Sequence, residues 1–149
     1  MFGIFPEDKQ LDIEGELFVP ASIVIDDFKE AMNIPLTYWN IDDYKKSWFN
    51  SLEEGLAKKN HAALAVSMYE PELANFVFVW VAYFKGEMVH IQNSIIFLEE
   101  YKNFSPERIN EFIDERTTHD EDGMKISEWI TDLRSVLVFY NNLKLRITG

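Results

Sequence analysis

Apolar and polar residues alternate in the middle of the chain with the period of a β-strand. Over Ala62–Met68, larger apolar residues alternate with smaller or more polar neighbours, which is typical of a half-buried strand. The segment Phe76–Phe84 is apolar at every position and rich in β-forming residues, which indicates a strand covered on both faces. Lys85-Gly86 predicts a two-residue turn into Met88–Leu98, so these two strands are expected to form a hairpin.

The same alternation identifies one apolar face of the hairpin and an earlier strand. In the second hairpin strand this face holds Val89, Ile91, Ile95 and Phe97, with Asn93 between them. The earlier strand is marked by Ile13, Leu17 and Val19. Ser22–Ile25 is expected to continue its sheet beyond Pro20.

Helical patterns lie on both sides of the apolar centre, and four helices are expected. The first, Asp26–Met32, is short and must end before Pro35. The second, Asp43–Lys58, carries an apolar stripe, and Asn40 or Asp42 can cap its first turn. The stripe consists of Tyr44, Trp48, Leu52 and Leu56.

Two of these helices follow the hairpin. Ser105-Pro106-Glu107 is typical of a helix start, with a capping residue, a proline at the first helical position and an acid in the first turn. The last helix is expected near Thr131–Leu143. The inward-facing residues are Ile109, Phe112 and Ile113 in the third helix, and Leu133, Val136, Leu137 and Tyr140 in the last. Helices beside a hairpin-rich sheet predict one α+β domain over residues 1–149.

Composition agrees with one such domain. A chain of 149 residues with 47% hydrophobic residues can bury a core without disulfides or metals. The absence of cysteine excludes a disulfide framework, an iron–sulfur cluster and a cysteine nucleophile. The apolar start MFGIF lacks a basic flank, and the longest apolar run is too short to span a bilayer, so a cytoplasmic location without membrane contact is expected.

The net charge and its distribution limit the classes of partner that the protein is expected to bind. The net charge is −12, and it is divided unevenly: −8 over residues 1–56, zero over 57–98, −7 over 99–132 and +3 over 133–149. An acidic surface repels phosphate backbones, which disfavours nucleic-acid binding. It suits a cationic protein instead, because complementary charge speeds encounter and enforces specificity. Nucleases are typical cationic proteins, since they must bind phosphate.

Motifs for catalysis or metal binding are missing. His61, His90 and His119 include no pair at helical ligand spacing. The segment Thr118–Trp129 imitates a calcium loop only in part, because Thr118 and Trp129 occupy its first and last ligand positions. Three interpretations of that segment stay open: a solvated acidic loop, a protein-contact loop, or an adventitious metal site. No cofactor, metal or small-molecule ligand is expected.

Two alternative functions remain open from the residues alone. With 26 acidic residues, composition leaves a catalytic carboxylate pair open, although no motif marks one. A small carboxylate-dependent enzyme is therefore one alternative. A nucleic-acid-binding module is the other, since four tryptophans could stack on bases. So few basic residues surround these tryptophans that core packing is the better interpretation, especially for Trp48 and Trp80.

Five stretches of the sequence resemble one protein family. They are MFGIF at the start, LTYWNIDDYKKSW (Leu36–Trp48), AVSMYEP (Ala65–Pro71), RTTH (Arg116–His119) and GMKISEW (Gly123–Trp129). The resemblance is to the contact-dependent growth inhibition immunity proteins of enterobacteria, the CdiI family. It is strongest to the type paired with a ribosomal-RNA-cleaving toxin domain. It runs from Met1 to about Leu143, and the order and spacing of the stretches make it specific.

This resemblance implies a cytoplasmic antitoxin without enzymatic activity. Its partner would be the cognate C-terminal toxin domain of a CdiA exoprotein, a basic and nuclease-like domain that the antitoxin binds and blocks. The implied fold is similar to the Whirly type, a curved sandwich of antiparallel sheets with helices packed on them. Whirly domains bind nucleic acids, but fold does not transfer function, and the charge of −12 argues against that activity here.

The candidates for toxin contact come from chemistry, because the resemblance supplies no binding motif. They are acidic residues at expected loops and helix starts. The residues are Asp120, Glu121 and Asp122 in the acidic loop, Asp42 and Asp43 before the long helix, and Asp26 and Asp27.

Overall fold

The computed structural model describes residues 1–148 and shows an α+β fold with two antiparallel sheets. Each sheet has four strands. The first contains β1 (Phe2–Pro6), β2 (Leu11–Ile13), β3 (Glu16–Ile25) and β4 (Phe28–Pro35). β1 and β2 pair with successive parts of one edge of β3, and β4 pairs with the other edge. Of the residues predicted to mark the early strand, Leu17 and Val19 lie in β3, which runs through Pro20 to Ile25 as expected, whereas Ile13 ends the separate strand β2.

The predicted helix Asp26–Met32 is wrong. Asp26 and Asp27 form the two-residue turn between β3 and β4, with Asp26 at a φ of +53° that aspartate tolerates better than most residues. Beyond the turn, the half-buried Met32 and the buried Ile34 alternate with the exposed Ala31 and Asn33. Pairing with β3 and burial of this face decide the conformation, against the helix propensity of the segment.

The second sheet is built around the predicted hairpin. Its strands, in spatial order, are β5 (His61–Ser67), β6 (Phe76–Lys85), β7 (Met88–Phe97) and β8 (Trp129–Asp132). Lys85 pairs with Met88, so the turn consists of Gly86 and Glu87, one residue later than predicted. Gly86 has a φ of +64°, which a residue without a side chain adopts at no steric cost.

Within residues 1–148 there are three helices of more than one turn instead of the predicted four. The long helix α1 (Ile41–Lys58) begins with a capping box, as Asn40 Oδ1 accepts from the Asp43 amide at 2.8 Å and Asp43 Oδ2 accepts from the Asn40 amide at 3.0 Å. α2 (Leu133–Thr148) starts two residues after the predicted Thr131, which belongs to β8.

The third helical segment, Pro106–Phe112, is a 3₁₀ helix rather than an α-helix. Ser105 does not cap it, because its hydroxyl donates to the Glu107 carboxylate at 2.7 Å. Asn110 attaches this segment to the core: its Oδ1 accepts from the Ser51 hydroxyl and the Ala63 amide, both at 2.8 Å. A shorter 3₁₀ turn, Leu98–Glu100, follows β7.

One contiguous hydrophobic cluster joins both sheets and both α-helices. Trp48 and Trp80 are buried in it, as predicted, and the Trp48 indole donates to the carbonyl of Ala65 at 2.7 Å. Phe139 of α2 packs against Phe2 and Trp48. No helix in the described part of the chain has both the length and the apolar character needed to cross a membrane.

Candidate functional site

The structure places the seven acidic candidates in three separate regions. Asp26 and Asp27 form the β3–β4 turn, Asp42 and Asp43 lie in the first turn of α1, and residues 120–122 lie in the loop before β8. Across residues 1–148, no hydrogen bond or ion pair joins these regions to one another. The candidates therefore do not form one site.

Asp26 and Asp43 have structural partners. Asp26 Oδ1 accepts from the N-terminal ammonium of Met1 at 3.0 Å and from the Thr131 hydroxyl at 3.2 Å. It thereby links the start of β1 to β8. Asp43 takes part in the capping box of α1. Asp27 and Asp42 are exposed, and so their carboxylates face solvent.

The acidic loop is an ordered turn. Asp120 Oδ1 accepts from the amides of Asp122 and Met124 at 3.0 and 2.9 Å. His119 and Lys125 pair across the loop as an isolated antiparallel bridge. Asp120 therefore holds the turn through local backbone amides, as aspartate often does. The tip residues Glu121 and Asp122 are exposed.

A charged cluster anchors the end of this loop to the second sheet. Arg116 donates two hydrogen bonds to the Glu128 carboxylate, at 2.8 and 2.7 Å. Gln92 of β7 donates to the same carboxylate at 2.7 Å, and His90 Nδ1 lies 3.2 Å from it. The Arg116 and Glu128 side chains are only 24% and 15% exposed.

These hydrogen bonds stabilise the ionised form of Glu128. The pKa of Glu128 is lowered to about 2, chiefly by the hydrogen bonds from Arg116 and further by Gln92. The same contact raises the pKa of Arg116. The loop is therefore held at its base by a pair that stays charged at neutral pH, so its exposed carboxylates are presented on a fixed support.

Metal binding finds no support in the described residues. Within residues 1–148, no group of three or more histidine, cysteine or acidic residues converges on a point where a metal ion could bind. In the calcium-like segment Thr118–Trp129, Asp120 Oδ1 accepts hydrogen bonds from two backbone amides.

Two concave regions are open to solvent. A polar one of about 250 Å³ lies between α1 and the 3₁₀ segment. A larger one of about 600 Å³ lies between β1 and α2, with Trp48 and Phe139 among its apolar lining residues. Lys45 and Arg146 also line it, and partial burial, followed by the nearby Arg146 charge, lowers the pKa of Lys45.

One exposed surface was missed by sequence reasoning. On the hairpin, cross-strand neighbours Phe76 and Phe97, and next to them Phe78 and Ile95, lie on one face of the sheet. These four side chains are between 41% and 46% exposed. The alternation predicted that Ile95 and Phe97 share a face with Val89 and Ile91, but not that this face leaves the core. We call these four residues the hairpin patch.

Comparison with known proteins gives the class to which this fold belongs. Residues 34–139 match the model of the CdiI N-terminal domain. The chain is 62% identical over 143 residues to the immunity protein CdiI of Enterobacter cloacae subsp. cloacae, across 96% of this chain and 99% of that protein. The chain therefore belongs to the CdiI family of immunity proteins, which confirms the resemblance seen in the sequence.

A solved structure is similar over the same length. The CdiA-CT/CdiI toxin and immunity complex from Enterobacter cloacae contains a chain with 62% identity and a TM-score of 0.93. The match covers 97% of the present chain and 99% of that chain. The architecture described above is thus that of a protein found in a complex with a toxin.

Proposed function

We propose that this protein is an antitoxin in the cytoplasm that binds the C-terminal nuclease toxin domain of a CdiA exoprotein. It would protect the cell from its own toxin and from toxin delivered by sibling cells. The observation that carries the proposal is the 62% identity, over nearly the whole chain, to an immunity protein and to a chain of a toxin–immunity complex. We further propose that all of residues 1–149 form one immunity domain, because both sheets share one core.

Charge supports a basic partner. The net charge of −12 favours association with a cationic protein, and a toxin that cleaves RNA needs a basic surface to hold phosphates. The antitoxin can neutralise such a toxin by occupying that basic surface, without performing any chemistry. No cofactor is needed for inhibition by occupancy.

The exposed acids are the best of the charged candidates for contact with toxin. Glu121 and Asp122 lie at the tip of an anchored loop, and Asp27 and Asp42 are also exposed. Asp26, Asp43 and Asp120 were equal candidates in the sequence, but their carboxylates bind groups within the chain. We therefore propose that they act by shaping the surface. We also propose a Whirly-type fold, which is supported by two antiparallel sheets with helices packed on them.

The fold proposal does not extend to nucleic-acid binding, because an acidic surface opposes it. Within residues 1–148, the three carboxyl groups with a shifted pKa, those of Glu107, Glu128 and Asp132, all have lowered values. A general acid working at neutral pH needs a raised pKa, so none of the three suits that role in a carboxylate-dependent enzyme.

Titration of the toxin separates an inhibitor from an enzyme. The cognate CdiA C-terminal domain, the one encoded beside this protein, is assayed on ribosomes while the antitoxin is added in steps. Occupancy predicts a linear loss of toxin activity that ends near one equivalent. Complete protection at a small fraction of an equivalent would show turnover and refute the proposal. A toxin that is unaffected at excess antitoxin would refute binding itself.

A further inference from the structure

The hairpin patch lies at one end of a sheet face that is buried in the core nearer the β6–β7 turn. Trp80 and Ile91 lie on the same face of the β6–β7 hairpin, nearer its turn, and they are 4% and 0% exposed. Beyond them the face carries the partly exposed Phe78 and Phe76, whose rings are 5.0 Å apart in an edge-to-face arrangement. The opposite side of the hairpin is covered, since Val77 and Ile96 are buried. Two strands thus present aromatic residues to solvent on one side only.

The hairpin patch is about as large as the largest apolar patch on a typical monomeric protein, and such patches are often functional. Four large side chains, each more than 40% exposed, leave on the order of 300 Å² of contiguous apolar area in water. Patches of this size commonly mark interaction sites. A stable complex buries roughly 800 Å² on each partner, with an apolar centre and a polar rim. The patch has the size of such a centre and needs a rim around it.

The rim is acidic. Glu70 and Glu72 precede β6, and Glu99 and Glu100 follow β7, and all four are exposed. The two segments meet at this end of the hairpin, where the amide of Leu98 donates to the carbonyl of Asn75 at 2.9 Å. Residues 67–78 and 93–100 contain no Lys or Arg. The start of α1 is also nearby, since the amide of Met68 donates to the Tyr44 hydroxyl at 2.9 Å.

The negative charge of these residues determines which kind of partner can bind the patch. A second copy of the chain docked patch to patch would bring two sets of like charges together, which costs several kcal/mol. Single-stranded nucleic acid could stack on the rings, but its phosphates would face the carboxylates. A basic protein surface with an apolar centre complements both the patch and its rim.

We propose that the hairpin patch is the centre of the surface that binds the CdiA toxin domain, with Glu70, Glu72, Glu99 and Glu100 facing basic residues of the toxin. This inference rests on the proposed function and names the surface that performs it. Apolar anchors at the centre of an interface contribute most of its affinity, while exposed charges at the rim mainly govern the rate of association.

The test compares two matched double variants for binding to the cognate toxin domain. Phe78→Thr/Phe97→Thr removes half of the patch and keeps a residue that favours β-structure. Ile13→Thr/Leu17→Thr is the control, because these side chains are 44% and 45% exposed on the first sheet. The patch variant should bind at least about 100-fold more weakly, mostly through faster dissociation, as loss of central anchors does. The control should bind within about threefold of wild type, since scattered surface changes have little effect.

A second matched pair of variants tests the proposed acidic rim. Changing Glu70, Glu72, Glu99 and Glu100 to Gln should slow association with the toxin more than the same change at Glu14, Glu30, Glu87 and Glu115, which are equally numerous and exposed. Both sets alter net charge equally, so a difference between them reports local placement of charge. Equal association rates for the two sets would overturn the proposed rim.

Hydroxyl-radical footprinting of wild-type protein keeps the test independent of variant folding. Oxidation of Phe76, Phe78 and Phe97 should fall several-fold in the toxin complex, while oxidation of Leu17 should not. Wild-type affinity of the patch variant, or unprotected rings in the complex, would overturn this inference and leave the proposed function intact. Failure of wild-type protein to bind the toxin would overturn both.

Two further results would assign the patch to another occupant and overturn the proposal. One is a dimer of the free wild-type chain in sedimentation that the Phe78→Thr/Phe97→Thr change dissociates. The other is binding of a single-stranded oligonucleotide that the same change abolishes.

Discussion

Gly55 shows how one missing side chain sets the distance between a helix and a sheet. It lies in α1, where a Cβ atom would stand 2.3 Å from the carbonyl oxygen of His61 and 2.8 Å from its carbonyl carbon. These are backbone atoms at the start of β5, so they cannot rotate away. Glycine in a helix costs about 1 kcal/mol relative to alanine. The close packing of α1 on β5 requires it here.

Gly55→Ala should therefore destabilise the protein although alanine is the better helix former. The expected loss is about 1 to 3 kcal/mol in the free energy of unfolding, as for other overpacked cores. Urea denaturation measures it. Asn50→Ala, at an exposed position of the same helix, is the control and should be neutral or slightly stabilising. Equal stability of Gly55→Ala and wild type would show that α1 can move away from β5.

Glu128 gives the protein a specific sensitivity to acid. Its pKa in the folded protein is about 2, below the ordinary value of 4.5, so the folded state binds its proton less readily than the unfolded chain does. The stabilisation is fully present above pH 4.5 and is lost as the pH falls toward 2. The partly buried pair with Arg116 is the main cause.

Glu128→Gln should lower the free energy of unfolding at pH 7 by about 2 to 3 kcal/mol, in line with the lowered pKa. The difference from wild type should shrink as the pH falls from 4.5 toward 2, because the unfolded wild-type chain then binds a proton at Glu128 that the folded protein does not. Urea denaturation at several pH values measures both effects. Glu121→Gln, at the exposed tip of the acidic loop, should show no such difference, and a constant gap for Glu128→Gln would contradict the assignment.

Sequence patterns predicted the helices and strands correctly where the period of the apolar residues agrees with their burial in the fold. The stripe of α1 and the apolar run of β6 predicted their elements within a few residues. The segment Asp26–Met32 failed because its composition favours a helix while its position opposite β3 makes it a strand. β1 was missed because five residues show too little alternation to predict a strand without its partner.

The candidate site was less predictable than the fold, for a physical reason. Sequence identifies acids, but not which of them bind within the chain, and Asp120 illustrates this through its bonds to Asp122 and Met124. It also cannot show where an apolar face leaves the core. Ile91 and Phe97 share a strand face and a pattern, yet one is buried and the other is 46% exposed. Coverage by other elements makes the difference.

In the acidic loop, the structural role of Asp120 can be tested separately from the role of Glu121 and Asp122 in attracting the toxin. Asp120→Ala should open the turn, so amide hydrogen exchange across residues 118–126 should become faster. Glu121→Gln/Asp122→Asn should leave exchange unchanged, because those side chains only face solvent. If the tip contributes to long-range attraction, the double variant should also slow toxin association by less than about tenfold without changing dissociation. Unchanged exchange in Asp120→Ala would contradict the structural role.

At the scale of the whole molecule, the charge of −12 should govern how quickly the toxin is captured. Association could approach ~10⁸ M⁻¹s⁻¹ at low salt and should fall steeply as salt rises, since ions screen long-range attraction. Dissociation should respond far less. Stopped-flow measurements at two salt concentrations test this, with potassium chloride and potassium acetate compared to control for ion-specific effects. An association rate indifferent to salt would mean that the acidity serves solubility.

The position of α2 in the core has a consequence for synthesis on the ribosome. Each hairpin can pair as soon as its second strand emerges, because its partners are close in sequence. β8 and α2 come more than thirty residues after β7. Phe139 of α2 packs against Phe2 and Trp48, and Val136 and Leu143 are buried in the same core. A nascent chain that ends before them has its hairpins but an open core. Under the proposed function, protection then depends on antitoxin molecules whose translation was finished before the toxin arrives.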